Sequence, residues 1–200
     1  MTRRERFLAF LANQPVDRVP VAFFHHFCRP EDFNQGVNNP EAFERNIEGH
    51  REAKAIFDPD VAKVMTDTLM LMPVDFSFVE KAADLRRVEP PAMNSPFVQK
   101  TIELTKRVRE IYSDSDVPVL ATSFSPFTVM RFGLSDHGML GNGGDEARFR
   151  QYMAEDPDAV SDALAILGER IAEIDDVMLK ECGADGIYLA VNNQRQIVPA

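Results

Sequence analysis

The feature of this sequence that most constrains its fold is an alternation of short apolar runs with longer amphipathic segments. The runs are six or seven residues long and rich in β-branched side chains, which is typical of buried strands. The segments between them repeat apolar residues at helical spacing. Strands and helices in alternation predict a parallel sheet with right-handed crossover connections. The four predicted strands are residues 19–24, 61–67, 117–122 and 186–191.

Capping signals place helices around these strands. Thr2 and Glu5 form a capping-box pattern at the start of a predicted helix over residues 3–13. Asn39 precedes a proline at the start of a second helix, which the apolar spacing extends to about Phe57. The remaining predictions are helices over residues 95–112 and 127–132, a long helix that starts at residues 156–158 and ends before Gly183, and a short strand pair near residues 85–88.

The length of the chain predicts a single domain over residues 1–200. A complete eight-stranded (β/α)8 barrel typically takes ~250 residues, so four strands would make about half of one. Periodicity alone does not distinguish an open sheet from part of a barrel. No helix is predicted after the last strand, and an apolar edge strand is a template for pairing. On its own, the 200-residue chain is therefore expected to form a homodimer or to aggregate.

Composition limits the partners of the protein. The net charge is −10 and the basic residues are scattered between acidic ones, which argues against a nucleic-acid partner. No apolar segment approaches the ~20 residues of a membrane span, so no membrane partner is expected. Cys28 and Cys182 lie far apart in sequence and do not form a disulfide framework, which suits a cytoplasmic protein. A small-molecule substrate is the expected ligand.

Asp67, at the end of the run 61–67, is the strongest candidate for chemistry. Ligands and catalytic groups of parallel α/β sheets lie at the C-terminal ends of the strands. The alternative is that Asp67 only caps the following loop. If it belongs to a site, it should lie within ~10 Å of the loop 25–29, which follows the first predicted strand. The substrate-binding residues expected beside it are His25, His26, Arg29, Ser125 and Asn192.

Four stretches of the sequence, in this order, resemble the uroporphyrinogen decarboxylase superfamily, which also contains corrinoid-dependent methyltransferases. Residues 122–130 are similar to the family's Gly-Phe-Ser-x-Pro-Trp-Thr-Leu-Met, and residues 64–67 stand where the family carries a strand ending in Ser-Asp. The resemblance implies a (β/α)8 TIM barrel, of which this chain supplies the N-terminal half, with four parallel strands and an N-terminal helix. The other two stretches are residues 3–7 leading into residues 15–21, and residues 182–187.

This sequence departs from the decarboxylases that it resembles at two positions. Those enzymes carry Arg-Gln-Ala-Gly-Arg after the first strand, and the two arginines bind substrate carboxylates. The second arginine matches Arg29, but the first is replaced by His25, which lacks the permanently charged, bidentate fork of arginine. The family's substrate-contacting tyrosine aligns with Phe132, which keeps the ring and loses the hydroxyl. Asp67 is retained.

For the intact protein, the resemblance implies decarboxylation of a tetrapyrrole-type polycarboxylate, a step of porphyrin biosynthesis, without a cofactor. The protonated pyrrole would act as the electron sink, and Asp67 would stabilise the cation that develops. The alternative is a corrinoid-dependent methyltransferase, which would use zinc and a corrinoid and would have a corrinoid protein as its partner. A third interpretation is that the 200-residue chain alone is an inactive fragment.

His26 and Cys28 raise the question of a zinc site. Positions two apart on extended backbone share a face, and imidazole with thiolate suits zinc. The methyltransferases of the superfamily use a His-x-Cys motif with a further cysteine, but in the other half of the barrel. Polar lining of the barrel mouth is the preferred interpretation of both residues, and no metal is expected here.

Overall fold

The computed structural model describes residues 1–135 and 146–191, which form an α/β structure. Its elements are the helices α1 (Arg3–Leu11), α2 (Pro40–Phe57), α3 (Pro96–Ile111), α4 (Pro126–Gly133), α5 (Glu146–Glu155) and α6 (Pro157–Lys180), and the strands β1 (Ala62–Lys63), β2 (Val119–Phe124) and β3 (Gly186–Ala190). The three strands form one parallel sheet in the order β1-β2-β3. In its register, Ala62 pairs with Val119 and Lys63 pairs with Leu120.

The described residues divide into two compact units. The first comprises residues 1–70, 94–122 and 174–188, and the second comprises residues 71–93, 123–135, 146–173 and 189–191. The prediction of a single domain over residues 1–200 stays a prediction. No helix in the described part of the chain combines the length and the apolar character that crossing a bilayer requires.

The capping signals in the sequence predict the helix starts correctly. The Thr2 hydroxyl accepts the N–H of Glu5, and the Glu5 carboxylate accepts the N–H of Thr2 at 2.9 Å, so the capping box is formed. Asn39 Oδ1 accepts the N–H of Ala42 at 3.1 Å ahead of α2. Asp156 Oδ1 accepts the N–H of Ala159 at 3.0 Å ahead of α6. Each cap satisfies one of the backbone donors that the first helical turn leaves free.

The hydrophobic core of the first unit is formed by α2, α3, β1 and β2. Apolar residues four apart on each helix face this core, which places them on one side of the helix. Full burial of such a side chain stabilises the fold by about 1.5–3 kcal/mol. The core residues are Phe43, Ile47, Ala62, Val64, Leu69, Leu104, Val108, Tyr112, Val117 and Val119.

The segment 19–24, predicted as a buried strand, is extended but is not a strand, so the sheet has three strands in the described residues and not the expected four. Its one backbone bond to the β1 side is from the N–H of Asp60 to the carbonyl of Val21, at 2.8 Å. Pro20 has no N–H, and the N–H of Val21 donates to the Asp60 carboxylate at 2.9 Å. Neither Pro20 nor Val21 can therefore donate a hydrogen bond to a neighbouring strand, and the apolar side chains that follow remain exposed.

The strand pair predicted near residues 85–88 is also wrong. Residues Ala82–Arg87 form a 3-10 helix. The Asp84 carboxylate accepts the N–H groups of Glu80 and Lys81, both at 3.2 Å, and this local capping favours a helical turn over extended backbone. Ala82 and Leu85 are the fully buried residues of this turn.

An ion-pair cluster around the buried residues Arg6 and Asp60, which we call the Asp60 cluster, also includes the more exposed Asp17 and Arg18 of the first unit. Arg6 Nη1 lies 2.8 Å from Asp60 Oδ1, and Arg6 Nε lies 2.7 Å from Asp17 Oδ1. Arg18 Nη2 lies 2.7 Å from Asp60 Oδ1. Burial pushes the pKa of Asp60 upward, but the Arg18 and Val21 hydrogen bonds and the charges of the two arginines outweigh it, so that pKa lies below its ordinary value. The cluster ties α1 to the start of β1.

The second unit is held by polar contacts to α5 and α6 as well as by its core. Arg86 Nη1 lies 2.8 Å from Asp156 Oδ2, and Arg86 Nε lies 2.9 Å from Asp162 Oδ2. The Tyr152 hydroxyl donates to the carbonyl of Val79 at 3.1 Å. The helix α5, which carries Tyr152, is not predicted by the sequence analysis.

Candidate active site around Asp67

Asp67 is fully buried, and the loop 25–29 supplies the hydrogen bonds to its carboxylate. His26 Nδ1 lies 2.8 Å from Oδ1. Oδ2 accepts the N–H of Phe27 at 2.6 Å and the N–H of Cys28 at 3.0 Å. The predicted proximity of Asp67 to this loop is therefore confirmed. Three donors converging on one buried carboxylate fix its position and compensate the loss of water around its charge.

The backbone leading to Asp67 is held by two side chains of α2. Asn46 Nδ2 donates to the carbonyl of Met65 at 2.9 Å, and His50 Nε2 accepts the N–H of Met65 at 3.1 Å. Burial lowers the pKa of His50 to about 4, so the ring is neutral near pH 7 and can accept this bond. This role of His50 is not predicted from the sequence. Asn46 and His50 are four residues apart and share a helix face, but this spacing does not identify Met65 as their partner.

The backbone after Asp67 is held by the segment that follows the loop. The N–H of Asn34 donates to the carbonyl of Asp67 at 3.1 Å, and the N–H of Gly36 donates to the carbonyl of Thr68 at 2.8 Å. A Cβ at position 36 would lie 2.7 Å from Thr68 Oγ1, so the close approach requires glycine. Asp67 itself begins a 3-10 turn that ends at Leu69. The backbone is thus held in place both before and after Asp67.

His26 is the exposed member of the pair that it forms with Asp67. Its side chain is 55% exposed, whereas that of Asp67 has no exposed surface. Its ring lies 4.9 Å from the ring of Phe33. Because a carboxylate oxygen accepts, the bond at Nδ1 leaves Nε2 free to exchange a proton with a bound molecule. A carboxylate in this position also stabilises the imidazolium that forms when the ring takes up a proton.

The other two predicted residues of the loop, His25 and Arg29, have surroundings that differ from those of His26. Arg29 is exposed, and its Nε lies 3.3 Å from Glu31 Oε1 and 3.5 Å from Asp32 Oδ2. The ring of His25 lies 4.8 Å from the ring of Phe27 and 5.4 Å from that of Phe57, both edge-on. Arg29 therefore already has acidic neighbours, and His25 belongs to an aromatic cluster.

Ser125 and Phe132 lie in the second unit. Ser125 is buried and caps α4, with its hydroxyl 2.9 Å from that of Thr128 and its N–H donating to the carbonyl of Ala190 at 3.0 Å. Phe132 is buried on the same helix. Asn192 lies outside the described residues. The structure thus brings Asp67, His26 and the loop backbone together, and the convergence with Ser125, Phe132 and Asn192 stays a prediction.

His26 and Cys28 do not fit a zinc site. The Cys28 thiol is buried, with Sγ 3.8 Å from the carbonyl of Ala42. Burial, followed by the charges of Asp67 and Asp32, raises the pKa of the thiol to about 11, whereas zinc binds the thiolate. Residues 1–135 and 146–191 contain no group of three His, Cys, Asp or Glu side chains arranged to hold a metal ion.

The sequence profile described as uroporphyrinogen decarboxylase (URO-D) matches residues 57–200. The chain belongs to this family. A uroporphyrinogen decarboxylase from Chloroflexus aggregans (strain MD-66 / DSM 9485) is 26% identical over 224 residues, which cover 98% of this chain and 59% of that protein. The chain thus spans about three fifths of the length of this curated relative. The URO-D profile includes Asp67 but begins after the loop 25–29, so the pairing of that loop with Asp67 is a finding of the structure.

Proposed function

We propose that the intact protein is a uroporphyrinogen decarboxylase-like lyase that acts on a tetrapyrrole-type polycarboxylate without a cofactor. We further propose that this chain forms the N-terminal half of a (β/α)8 barrel. Membership of the URO-D family supports both proposals. The observation that carries the assignment of the site is the buried Asp67 carboxylate after β1, bound at 2.8 Å to an exposed imidazole.

The proposed reaction breaks one carbon–carbon bond of a pyrrole acetate arm. The electron pair of that bond passes into the pyrrole ring, which has first taken up a proton, and CO2 leaves. The methylene carbon then takes up a proton to become a methyl group, and the ring gives up the proton that it had gained. The net change is the loss of CO2 and the gain of one proton. The protein must therefore stabilise a positive ring and supply a proton, and a buried carboxylate paired with an imidazole has the chemistry for both tasks.

We assign the two tasks to different residues. Both Asp67 oxygens already accept protein donors, and the carboxylate has no exposed surface, so its charge acts on the substrate through His26. His26 directs Nε2 away from Asp67, toward the bound substrate, and donates the proton that takes the place of CO2 on the methylene carbon. The imidazole then regains a proton from water. Asp67 holds the imidazole ring by its Nδ1–H, and its negative charge stabilises the imidazolium and, at longer range, the positive pyrrole ring.

The test is Asp67→Asn in the intact protein, with uroporphyrinogen as substrate and CO2 release and porphyrin products as readouts. The amide is nearly isosteric, but its NH2 group would face His26 Nδ1 and favour the other tautomer of the ring. We expect kcat/KM to fall by about 10²–10³ with little change in the free energy of unfolding.

The matched control is Asp114→Asn, which removes an exposed carboxylate that pairs with Lys54 away from Asp67. It should keep wild-type kcat/KM. An Asp67→Asn protein with wild-type activity would reduce Asp67 to a loop cap. A wild-type protein that releases no CO2 but transfers a methyl group from a corrinoid would replace decarboxylation by the methyltransferase alternative.

A further inference from the structure

Lys63 is the last residue of β1. Two aromatic rings pack against its ammonium group. Nζ lies 4.4 Å from the ring centroid of Tyr188 on β3 and 5.3 Å from that of Phe24. The two rings contact each other edge-on at 5.4 Å. Both distances lie within the ~6 Å over which a ring face attracts a cation. We call Lys63, Phe24 and Tyr188 the Lys63 cage.

The charge of Lys63 has no carboxylate partner among the described residues. Other cations of the first unit form ion pairs. Arg29, which was also predicted to bind substrate, has Glu31 and Asp32 beside it. No such pair within residues 1–135 and 146–191 involves Lys63. Burial lowers the pKa of Lys63, and the charge of Asp67 raises it. Partial burial makes an anion beside Nζ favourable, because the ammonium has lost part of its water.

The Lys63 cage is open to a ligand. Phe24 is 45% exposed and Tyr188 is 37% exposed, although each packs against the other. Two partly exposed ring walls beside the ammonium of a half-buried lysine suit a flat ring that carries an anionic arm.

We propose that the Lys63 cage binds a carboxylate arm of the substrate, with Phe24 and Tyr188 packing against the ring that carries the arm. This inference rests on the proposed function for the identity of the ligand, a pyrrole polycarboxylate. Lys63 lies four residues before Asp67 on the same segment. The cage therefore places a carboxylate-binding group on the same short segment of backbone as Asp67, the partner of His26.

The experiment measures binding of uroporphyrin, a porphyrin with eight carboxylates, to the intact protein by porphyrin fluorescence. Lys63→Met should weaken binding about tenfold, since a charge-assisted hydrogen bond is lost. Lys63→Arg keeps the charge and should stay close to the wild-type Kd. Lys106→Met, which removes an exposed lysine of α3, is the matched control and should not change Kd. Thermal unfolding of each variant identifies any loss of folding.

Each outcome decides the inference separately from the proposed reaction. An unchanged Kd for Lys63→Met, or no binding of uroporphyrin by the wild type, would overturn the inference. So would a Lys63→Arg protein that binds as weakly as Lys63→Met while remaining folded. Weaker binding by Lys63→Met in a protein that releases no CO2 would support the cage as a polycarboxylate subsite and overturn only the decarboxylation.

Discussion

Two buried aspartates on either side of β1 differ in what neutralises them. Asp60, before the strand, is bound by the guanidinium groups of Arg6 and Arg18 and by the N–H of Val21. Asp67, after the strand, is bound by His26 and by two backbone N–H groups. Both carboxylates have almost no exposed surface. They differ in that the side-chain partner of Asp67 is an imidazole, which can donate and accept a proton, whereas those of Asp60 are guanidinium groups, which only donate.

This difference separates a structural carboxylate from a candidate catalytic one. Arginine keeps its charge at every accessible pH, so the Asp60 cluster serves as a permanent tie between α1 and the start of β1. An imidazole that is half exposed can instead carry a proton to a bound molecule. The two ends of one strand thus carry similar carboxylates with opposite expected responses to substitution.

The largest expected effect is on stability, from Asp60→Asn. Removing this charge weakens the charge-assisted hydrogen bonds that Asp60 accepts from Arg6 and Arg18, each worth about 1.5–3 kcal/mol. The loss should therefore reach about 3 kcal/mol, although Arg6 keeps Asp17 as a partner. Urea unfolding of the intact protein should show this loss, with kcat/KM per folded molecule unchanged. A variant that lost activity at full stability would show that Asp60 belongs to the chemistry and remove the contrast with Asp67.

The next effect is on activity, from His26→Gln. If His26 supplies the proton, kcat should fall about 10²-fold, because that is the usual contribution of a general acid. The free energy of unfolding should change little, since the ring is mostly exposed. His25→Gln is the matched control on the neighbouring residue, and it should keep the wild-type pH profile of kcat. Equal losses in both variants would contradict the assignment.

Local signals in the sequence predict most of the helices. They do not predict which segments pair as neighbouring strands, because that depends on residues far apart in sequence. Thr2, Asn39 and Asp156 predict helix starts because a cap depends on residues only three positions apart. The run 19–24 reads as a buried strand, but its burial depends on distant chain. The Asp60 carboxylate, which takes the N–H of Val21, lies 39 residues away in sequence.

The candidate site shows the same division. Asp67 could be predicted because it directly follows an apolar run. Its pairing with His26 spans 41 residues, and the sequence places the loop near Asp67 only through the general rule that parallel strands end at one edge of a sheet. The roles of Asn46 and Lys63 were missed because a buried amide on a helix and a lysine in a strand have no sequence motif. Each acquires its role from the tertiary contact that it makes.

The third prediction uses pH to separate the two ends of β1. The pKa of His50 is lowered to about 4 by burial, against an ordinary value of about 6.5. The unfolded chain therefore binds a proton between these values that the folded chain does not, and stability falls as the pH falls from 7 to 5, by about 2 kcal/mol. The Asp60 cluster responds at a lower pH. Because the pKa of Asp60 lies below its ordinary value, this group contributes stability above pH ~4, and the contribution is lost as the pH falls further.

The variant that tests this separation is His50→Gln. Glutamine offers an oxygen to the N–H of Met65 and does not titrate, so the loss of stability between pH 7 and pH 5 should shrink while the loss below pH 4 remains. Urea unfolding at pH 7, 5 and 3.5 measures both. A full loss between pH 7 and 5 in the variant would assign that loss to another group.

The smallest expected effect tests whether the Asp60 cluster is buried throughout. The side chain of Arg18 is 53% exposed, although it binds the same buried carboxylate as Arg6. Arg18→Gln should therefore cost no more than about 1 kcal/mol, since solvent screens an exposed partner. In 1 M salt, where the Debye length is about 3 Å, the stability difference between this variant and the wild type should shrink further. A difference that salt leaves unchanged would mean that Arg18 is as shielded from solvent as Arg6, and that both arginines neutralise Asp60 in the same way.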